Sequence, residues 1–346
     1  MKQKIVLGLS GGIDSLVSAI LLKNKGYTVI GINLNLWKTP EKQKIAEITD
    51  KLKIENHYID LKETFKKNIV DNFINDYLNA KTPNPCTICN DIIKWKYLIN
   101  FADKNNIKHI ATGHYINIHN ENNKFYIYKG NDKKKDQSYF LWRLNQEYIS
   151  RTICPLGEYT KLQVKEIAKN YGFNDLSKQK ESMSICFLEN NNYRNFIKNN
   201  INKNHKSLTV GNVYDTYNNL IGTHNGIANY TIGQKSGLKL SVNKKMAVCK
   251  ININDNSLIV DETLNLYNDE FLLENFNFVD INDIKSKNIT VMIRGFGLNP
   301  QKNAKLEMIN NNLIKIKLKD KAWAIAPGQP AVFYIKNKLI GGGYIK

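Results

Sequence analysis

Two groups of residues in this chain have the types and spacing for chemistry. The first is the run Gly8, Leu9, Ser10, Gly11, Gly12, Ile13, Asp14 and Ser15. Its glycines let backbone N–H groups approach an anion closely, and a helix starting there presents its positive end. Ser10 and Ser15 add hydroxyl donors, and Asp14 either holds a magnesium ion or orients the loop. No Gly-Lys-Ser/Thr follows, so this is not a Walker loop, and the Gly-x-Gly-x-x-Gly spacing of dinucleotide sites is missing. A glycine-rich turn without a ligand is the plainer reading, and the position of the run right after an apolar first strand weighs against it.

The second group is thiols. Five cysteines occur, Cys86, Cys89, Cys154, Cys186 and Cys249. An odd count with no charged leader and apolar export run argues for thiols rather than a disulfide framework. The segment Thr82-Pro83-Asn84-Pro85-Cys86-Thr87-Ile88-Cys89-Asn90 opens a long helical pattern. Two prolines stiffen its approach, and a cysteine in a first helical turn gains thiolate character from the dipole. The bland alternative is a pair of small buried residues. Cys186, in Glu181-Ser182-Met183-Ser184-Ile185-Cys186-Phe187-Leu188, reads by pattern alone as an ordinary buried thiol. Cys154 and Cys249 read as packing residues.

The elements that must position these groups alternate strand and helix in the first half: strand over 4–9, helix over 14–25, strand over 28–34, helix over 40–52, strand over 55–59, helix over 87–105 and strand over 108–112. That order predicts an α/β domain with a mainly parallel sheet, whose ligands sit at the carboxyl ends of the strands. Residues 125–128 read as a hairpin strand. From about residue 205 short β-type runs take over, broken by Gly and Asn turns. The expected division is 1–204 for the loop-bearing domain, 205–264 for a small β-rich middle domain and 265–346 for a C-terminal β-barrel. The formal net charge of +19 attracts polyanions, nucleic acid first. Only four of the 50 basic residues are arginine, and the chain is rich in Asn and Ile, so part of that charge is the compositional bias of AT-rich codons. No apolar stretch of about 18 residues is present, so no membrane partner is expected and the cytoplasm is the default compartment.

The Ser-Gly-Gly-x-Asp-Ser order resembles the pyrophosphate loop of the ATP pyrophosphatases, enzymes that transfer adenylate to a substrate oxygen. Further segments resemble the tRNA-uridine 2-sulfurtransferases, the 2-thiouridylases of the wobble position. These are residues 82–90, Ala111-Thr112-Gly113-His114-Tyr115, residues 135–141, Pro155-Leu156-Gly157 with Tyr159-Thr160-Lys161, residues 184–187, residues 231–238 and residues 326–334, in the family's order along nearly the whole chain. The resemblance implies that Gly8 to Ser15 hold ATP phosphates with magnesium, and that Leu34 and Gly113 border adenine and ribose. It implies that Lys135, Asp136 and Gln137 face the target base, that Asn84, Pro85 and Cys86 line its pocket, and that His114, Arg294, Gly295 and Gln329 contact the tRNA. Cys186 then accepts a persulfide sulfur from a donor protein and Cys89 completes the exchange, on tRNAs for Lys, Glu and Gln.

Two departures stand out. Many members carry Asp where this chain has Cys86, so an acid/base duty for that Asp has no carrier here. Three thiols, Cys86, Cys89 and Cys186, are instead candidates for an iron–sulfur cluster, because Cys-x₂-Cys spacing is common in cluster ligands. The persulfide and disulfide route and the cluster stay open at this point. The second departure is Arg294-Gly295-Phe296, where Arg-Tyr and a basic residue are commoner; the aromatic contact is lost or moved to Phe296. Rival readings are an adenylating enzyme with a small substrate and a catalytically silent RNA-binding or metal-sensing protein.

Overall fold

The computed structural model describes residues 2–37, 42–179, 185–202, 204–242, 244–295, 297 and 299–346. Phe296 and Ser184 therefore lie outside the described residues, as does the start of the helix expected over 40–52.

In the first half, β1 (Lys4–Gly8), β2 (Thr28–Asn35), β3 (Glu55–Asp60) and β4 (His109–Ala111) form a parallel sheet. A hairpin of β5 (Ile116–Glu121) and β6 (Lys124–Lys129) leaves it, and β7 (Thr152–Ile153) returns to close the order β3-β2-β1-β4-β7. Ile5, Leu7 and Leu9 pack on one side against Leu16, Val17 and Ile20 of helix Ile13–Asn24. On the other side Val6, Ile30, Ile32 and Ile110 pack against Trp95, Leu98 and Ile99. Burial on both faces explains why these strands read as continuous apolar runs.

The long helix of this face is Pro85–Cys89, a π-helical stretch Asn90–Trp95, and Lys96–Lys104. Its periodicity was legible but its π turn was not, because tertiary bonds impose it. Asn90 Nδ2 donates to Phe140 O at 3.0 Å and Trp95 Nε1 donates to Thr152 Oγ1 at 2.8 Å.

The middle strands are β8 (Gly211–Tyr214), β9 (Leu220–His224), β10 (Lys239–Leu240), β11 (Met246–Asn252) and β12 (Ser257–Glu262), in the order β10-β9-β8-β12-β11. The C-terminal barrel follows: β13 (Tyr267–Phe278), β14 (Ile289–Met292), β15 (Ala304–Asn310), β16 (Leu313–Trp323), β17 (Pro330–Ile335) and β18 (Lys338–Ile345). Its β18 pairs with β6 of the first half, Lys338 opposite Tyr128, so one sheet spans both regions. Several elements escaped the sequence reading, among them helices Lys161–Asn170 and Tyr193–Asn200. The helical run Lys62–Phe65, Lys66–Val70 and Asp71–Leu78 hides in a Lys/Asn-rich stretch. In β13, register shifts between Asn268 and Glu270 and between Glu274 and Asn277 break the alternation that marks a strand. Among the described residues no helix is long and apolar enough to cross a membrane.

Candidate nucleotide and thiol site

A cavity of about 260 Å³ opens at the carboxyl ends of β1, β2 and β4. Gly8, Leu9, Ser10, Asp14 and Ser15 line it from the loop, and Thr112, Gly113 and His114 from the turn after β4. Ile32, Leu34, Leu36 and Leu98 form an apolar wall, and Lys94 and Gln137 complete the rim. Polar loop on one side and aliphatic wall on the other suit a group with an anionic end and a flat apolar end.

The loop's shape comes from its own hydroxyls. Ser15 Oγ donates to Gly12 O at 2.9 Å and accepts from Ser10 N at 3.2 Å. Gly11 turns through φ +80°, a left-handed conformation that costs glycine little. Gly12 caps helix Ile13–Asn24 without a side-chain bond, which leaves first-turn amides for an anion. Of the two roles open to Asp14, orientation is built: its Oδ1 accepts from Lys161 Nζ at 2.6 Å and from the Tyr115 hydroxyl at 2.7 Å. Lys161 and Tyr115 belong to segments that resemble the family without an implied duty, and here they orient Asp14.

His114 is held on two sides: its Nδ1 lies 3.0 Å from Thr112 Oγ1, and its ring tilts on Trp95 at 5.1 Å. Burial and the Lys94 charge push its pKa down to about 3, so the imidazole is neutral at physiological pH. The folded value lies below the unfolded one, so this contribution to stability is complete above pH ~6.5 and is lost as pH falls toward 3. Between pH 7 and 5 the unfolded chain gains a proton that folded His114 refuses, a loss of about 1–2 kcal/mol. His114→Gln is expected to show a smaller fall in urea midpoint over that interval than the parent protein; equal falls would assign the acid sensitivity elsewhere.

The thiols gather at the start of the long helix. Cys89 is buried and Cys86 is half-buried, while Cys186 is exposed. The expectation of an ordinary buried thiol at 186 is therefore corrected. Its neighbour Phe187 takes the buried place, inside an aromatic cluster with Phe65, Phe73, Phe196 and Trp37 at centroid distances of 5.1–6.1 Å. Such pairs contribute about 0.5–1.5 kcal/mol each beyond their area, enough to fix the turn that presents Cys186. Cys186 lies close enough that its charge acts on both Cys86 and Cys89.

The expected thiolate character of Cys89 is also corrected. Burial pushes its pKa up to about 12, against the opposing charge of Lys94. Desolvation outweighs the short helix, and Cys89 rests as a thiol. Burial likewise raises Cys86. Among the described residues no three His, Cys, Asp or Glu side chains converge as a metal-binding group. As placed, the three thiols do not fit an iron–sulfur cluster. Cys154 faces Thr112 Oγ1 at 3.5 Å and Cys249 donates to Ile259 O, both packing positions.

All three regions of the chain meet on the segment before Cys86. Thr82 N donates to Pro327 O at 2.8 Å, the Gln329 amide donates to Thr82 O at 2.8 Å and to Pro83 O at 3.3 Å, and Thr82 bonds Thr231 through their hydroxyls. Asn84 caps helix Pro85–Cys89, with Pro85 in its first turn. Gln137 Oε1 accepts from Tyr115 N at 3.0 Å, and the Asp136 carboxylate accepts from Gly130 N and the Ser138 hydroxyl, which turns it into the loop. Lys135 starts that loop, its N–H bonding Asp132 O. Arg294 donates to Trp323 O and Ala324 O at 3.0 and 2.8 Å, and Gly295 lies against Tyr139 and Phe140. Gly295 thus lies beside the turn that follows residues 135–137, while Arg294 itself is tied to the barrel backbone.

Comparison with known proteins gives a match along three stretches. The family described as tRNA methyl transferase HUP domain matches residues 3–190, the tRNA methyl transferase PRC-barrel domain residues 194–262, and the aminomethyltransferase beta-barrel domain residues 268–345. The chain is 38% identical over 355 residues to tRNA-specific 2-thiouridylase MnmA 1 of Clostridium botulinum (strain Okra / Type B1), covering 100% of this chain and 99% of that one. It is 35% identical over 356 residues to tRNA-specific 2-thiouridylase MnmA 3 of Phocaeicola vulgatus, covering 99% and 94%. Among solved structures, a 4-thiouridine synthetase–RNA complex with bound ATP is 19% identical over 54% of this chain and 45% of that chain, with a TM-score of 0.37.

Proposed function

The chain belongs to the tRNA-specific 2-thiouridylase family and is a tRNA sulfurtransferase, and from that premise we propose that it makes 2-thiouridine at the wobble position by adenylating the uridine C2 oxygen and replacing it with persulfide sulfur. The observation that carries this reading is one exposed thiol, Cys186, near a buried one, Cys89, at the start of a helix that also lines the nucleotide cavity through Lys94 and Leu98.

The loop from Gly8 to Ser15 holds the triphosphate, and Leu34 and Gly113 border the base and sugar. Magnesium would come with the phosphates, as at sites with few protein carboxylates, and Asp14, held by Lys161 and Tyr115, is the carboxylate that lines the cavity. The uridine O2 attacks the α-phosphorus and pyrophosphate leaves. Cys186, reachable from outside, is the thiol that takes a sulfur atom from a persulfide-bearing donor protein. Its terminal sulfur adds to C2 and AMP departs with the former O2, leaving the base joined to Cys186 through a disulfide bond. The Cys89 sulfur then attacks Cys186 Sγ. The S–S bond to the base breaks, 2-thiouridine leaves, and a Cys89–Cys186 disulfide forms, to be reset by an external thiol reductant. Because Cys89 rests protonated, this last step waits for tRNA to change its surroundings. Gln137, which lines the cavity, and Lys135 of the same loop meet the entering base, with Asp136 shaping that loop. The net charge of +19 suits the tRNA partner, and the acceptors are those for Lys, Glu and Gln.

An anaerobic assay tests this. Unmodified tRNA, ATP, magnesium and a persulfide donor are mixed with the protein, and nucleosides are read by mass spectrometry. The expected result is 2-thiouridine only with ATP, with one AMP released per base. Base thiolation without ATP, or none with AMP release absent, defeats the reading.

A further inference from the structure

We propose that Lys94 is the cation that serves both halves of this reaction, holding nucleotide phosphate on one side and steadying sulfur anion at Cys89 on the other; the inference rests on the functional reading above. Lys94 is half-buried and lines the nucleotide cavity together with Ser10, Asp14 and Gln137. It is also five residues after Cys89. In an α-helix that spacing turns through about 500°, which leaves the two side chains about 140° apart. The stretch Asn90–Trp95 is π-helical, with i→i+5 bonding that brings residues five apart nearer to one face than an α-helix does, and such turns gather at functional sites. The wider turn narrows the angle between Lys94 and Cys89 while Lys94 still borders the cavity.

Electrostatics agree with the placement. The Lys94 charge opposes the effect of burial at both Cys86 and Cys89 and helps keep His114 neutral. Carboxylates that would neutralise it are taken: Asp14 by Lys161 at 2.6 Å and Asp91 by Arg143 at 3.2 Å. Among the described residues Lys94 has no ion-pair partner of its own. A cation brought to a cavity wall without a counter-ion is suited to an anionic ligand, and AMP leaving as sulfur arrives is the moment at which both anions are present.

The test uses the full chain with Lys94→Met, Lys94→Arg and, as a control of equal charge change on the exposed side of the helix, Lys96→Met. ATP binding is measured by calorimetry without tRNA. Lys94→Met is expected to weaken it by about tenfold or more, the usual effect of one charge-assisted contact, while Lys94→Arg stays within about threefold of wild type. Lys96→Met is expected to bind as wild type does. Equal affinities for Lys94→Met and Lys96→Met overturn the phosphate half. The sulfur half is read in a single turnover with Cys186 preloaded as persulfide and ATP saturating: Lys94→Met is expected to slow 2-thiouridine appearance by about tenfold or more. A normal rate overturns that half. Should Lys94→Met not fold, as judged by its melting curve, Lys94→Gln is read in the same way. If wild type makes no 2-thiouridine at all, the functional reading fails while the ATP arm still decides the role of Lys94 at the cavity.

Discussion

Cys186→Ser is expected to abolish 2-thiouridine formation while leaving ATP affinity and thermal stability unchanged. A serine cannot carry a persulfide, so no sulfur reaches the base. The residue is exposed, on a turn fixed by the burial of Phe187, so the change removes no packed atoms. The loss is expected to exceed about a thousandfold in rate, the scale for removing a covalent catalyst. Cys89→Ser is expected to differ in kind: sulfur loads onto Cys186, the base becomes attached to it, and release fails. Mass spectrometry of the protein separates the two, since Cys89→Ser gains one sulfur atom and Cys186→Ser gains none. The resting thiols also make a prediction. With a pKa pushed up to about 12, Cys89 has about 10⁻⁴ of its population as thiolate at pH 8. Iodoacetamide is therefore expected to label Cys186 and spare Cys89 until tRNA is added. Rapid labelling of Cys89 in the protein alone would contradict the resting state described above.

What the sequence made legible follows from the range of the interactions involved. The phosphate loop is a local matter: three glycines, two serines and a helix start lie within eight residues, and the bonds among them make the loop. The long helix was legible because its apolar repeat is also local. Its π turn was not, because Phe140 O and Thr152 Oγ1, far along the chain, fix Asn90 and Trp95. Lys94 escaped notice for the same reason: at α-helical spacing it points away from Cys89. The exposure of Cys186 depends on Phe65 and Phe73, more than a hundred residues earlier. Resemblance named Cys186, but only packing explains why the phenylalanine is inside and the cysteine outside. Gln329 was matched to tRNA contact; in the structure its amide braces Thr82 and Pro83, so a barrel residue fixes the approach to Cys86.

Gly113→Ala is expected to weaken ATP binding by about a hundredfold, through space rather than backbone conformation. A Cβ at Gly113 would lie 2.9 Å from the Asp14 carbonyl carbon, 3.1 Å from Asp14 O and 3.1 Å from Ser15 N. These are backbone atoms, so no side chain can swing aside. The backbone at Asp14 has little room to retreat. Ser18 Oγ donates to Asp14 O at 2.8 Å, Lys161 and Tyr115 hold its carboxylate, and Ser15 Oγ bonds Gly12 O. The methyl therefore displaces the helix start and the phosphate loop together, a strain of about 1–3 kcal/mol. Gly12→Ala makes the contrast within the same loop: its Cβ would meet only Ser10 Oγ, at 3.6 Å, and its φ of −86° suits any residue. The Gly12 variant is expected to melt close to wild type and the Gly113 variant several degrees lower. Calorimetry with ATP decides the matter. If Gly113→Ala binds as wild type does, the loop yields more freely than its bonds imply, and close approach of Gly113 to Asp14 is not what shapes the nucleotide site.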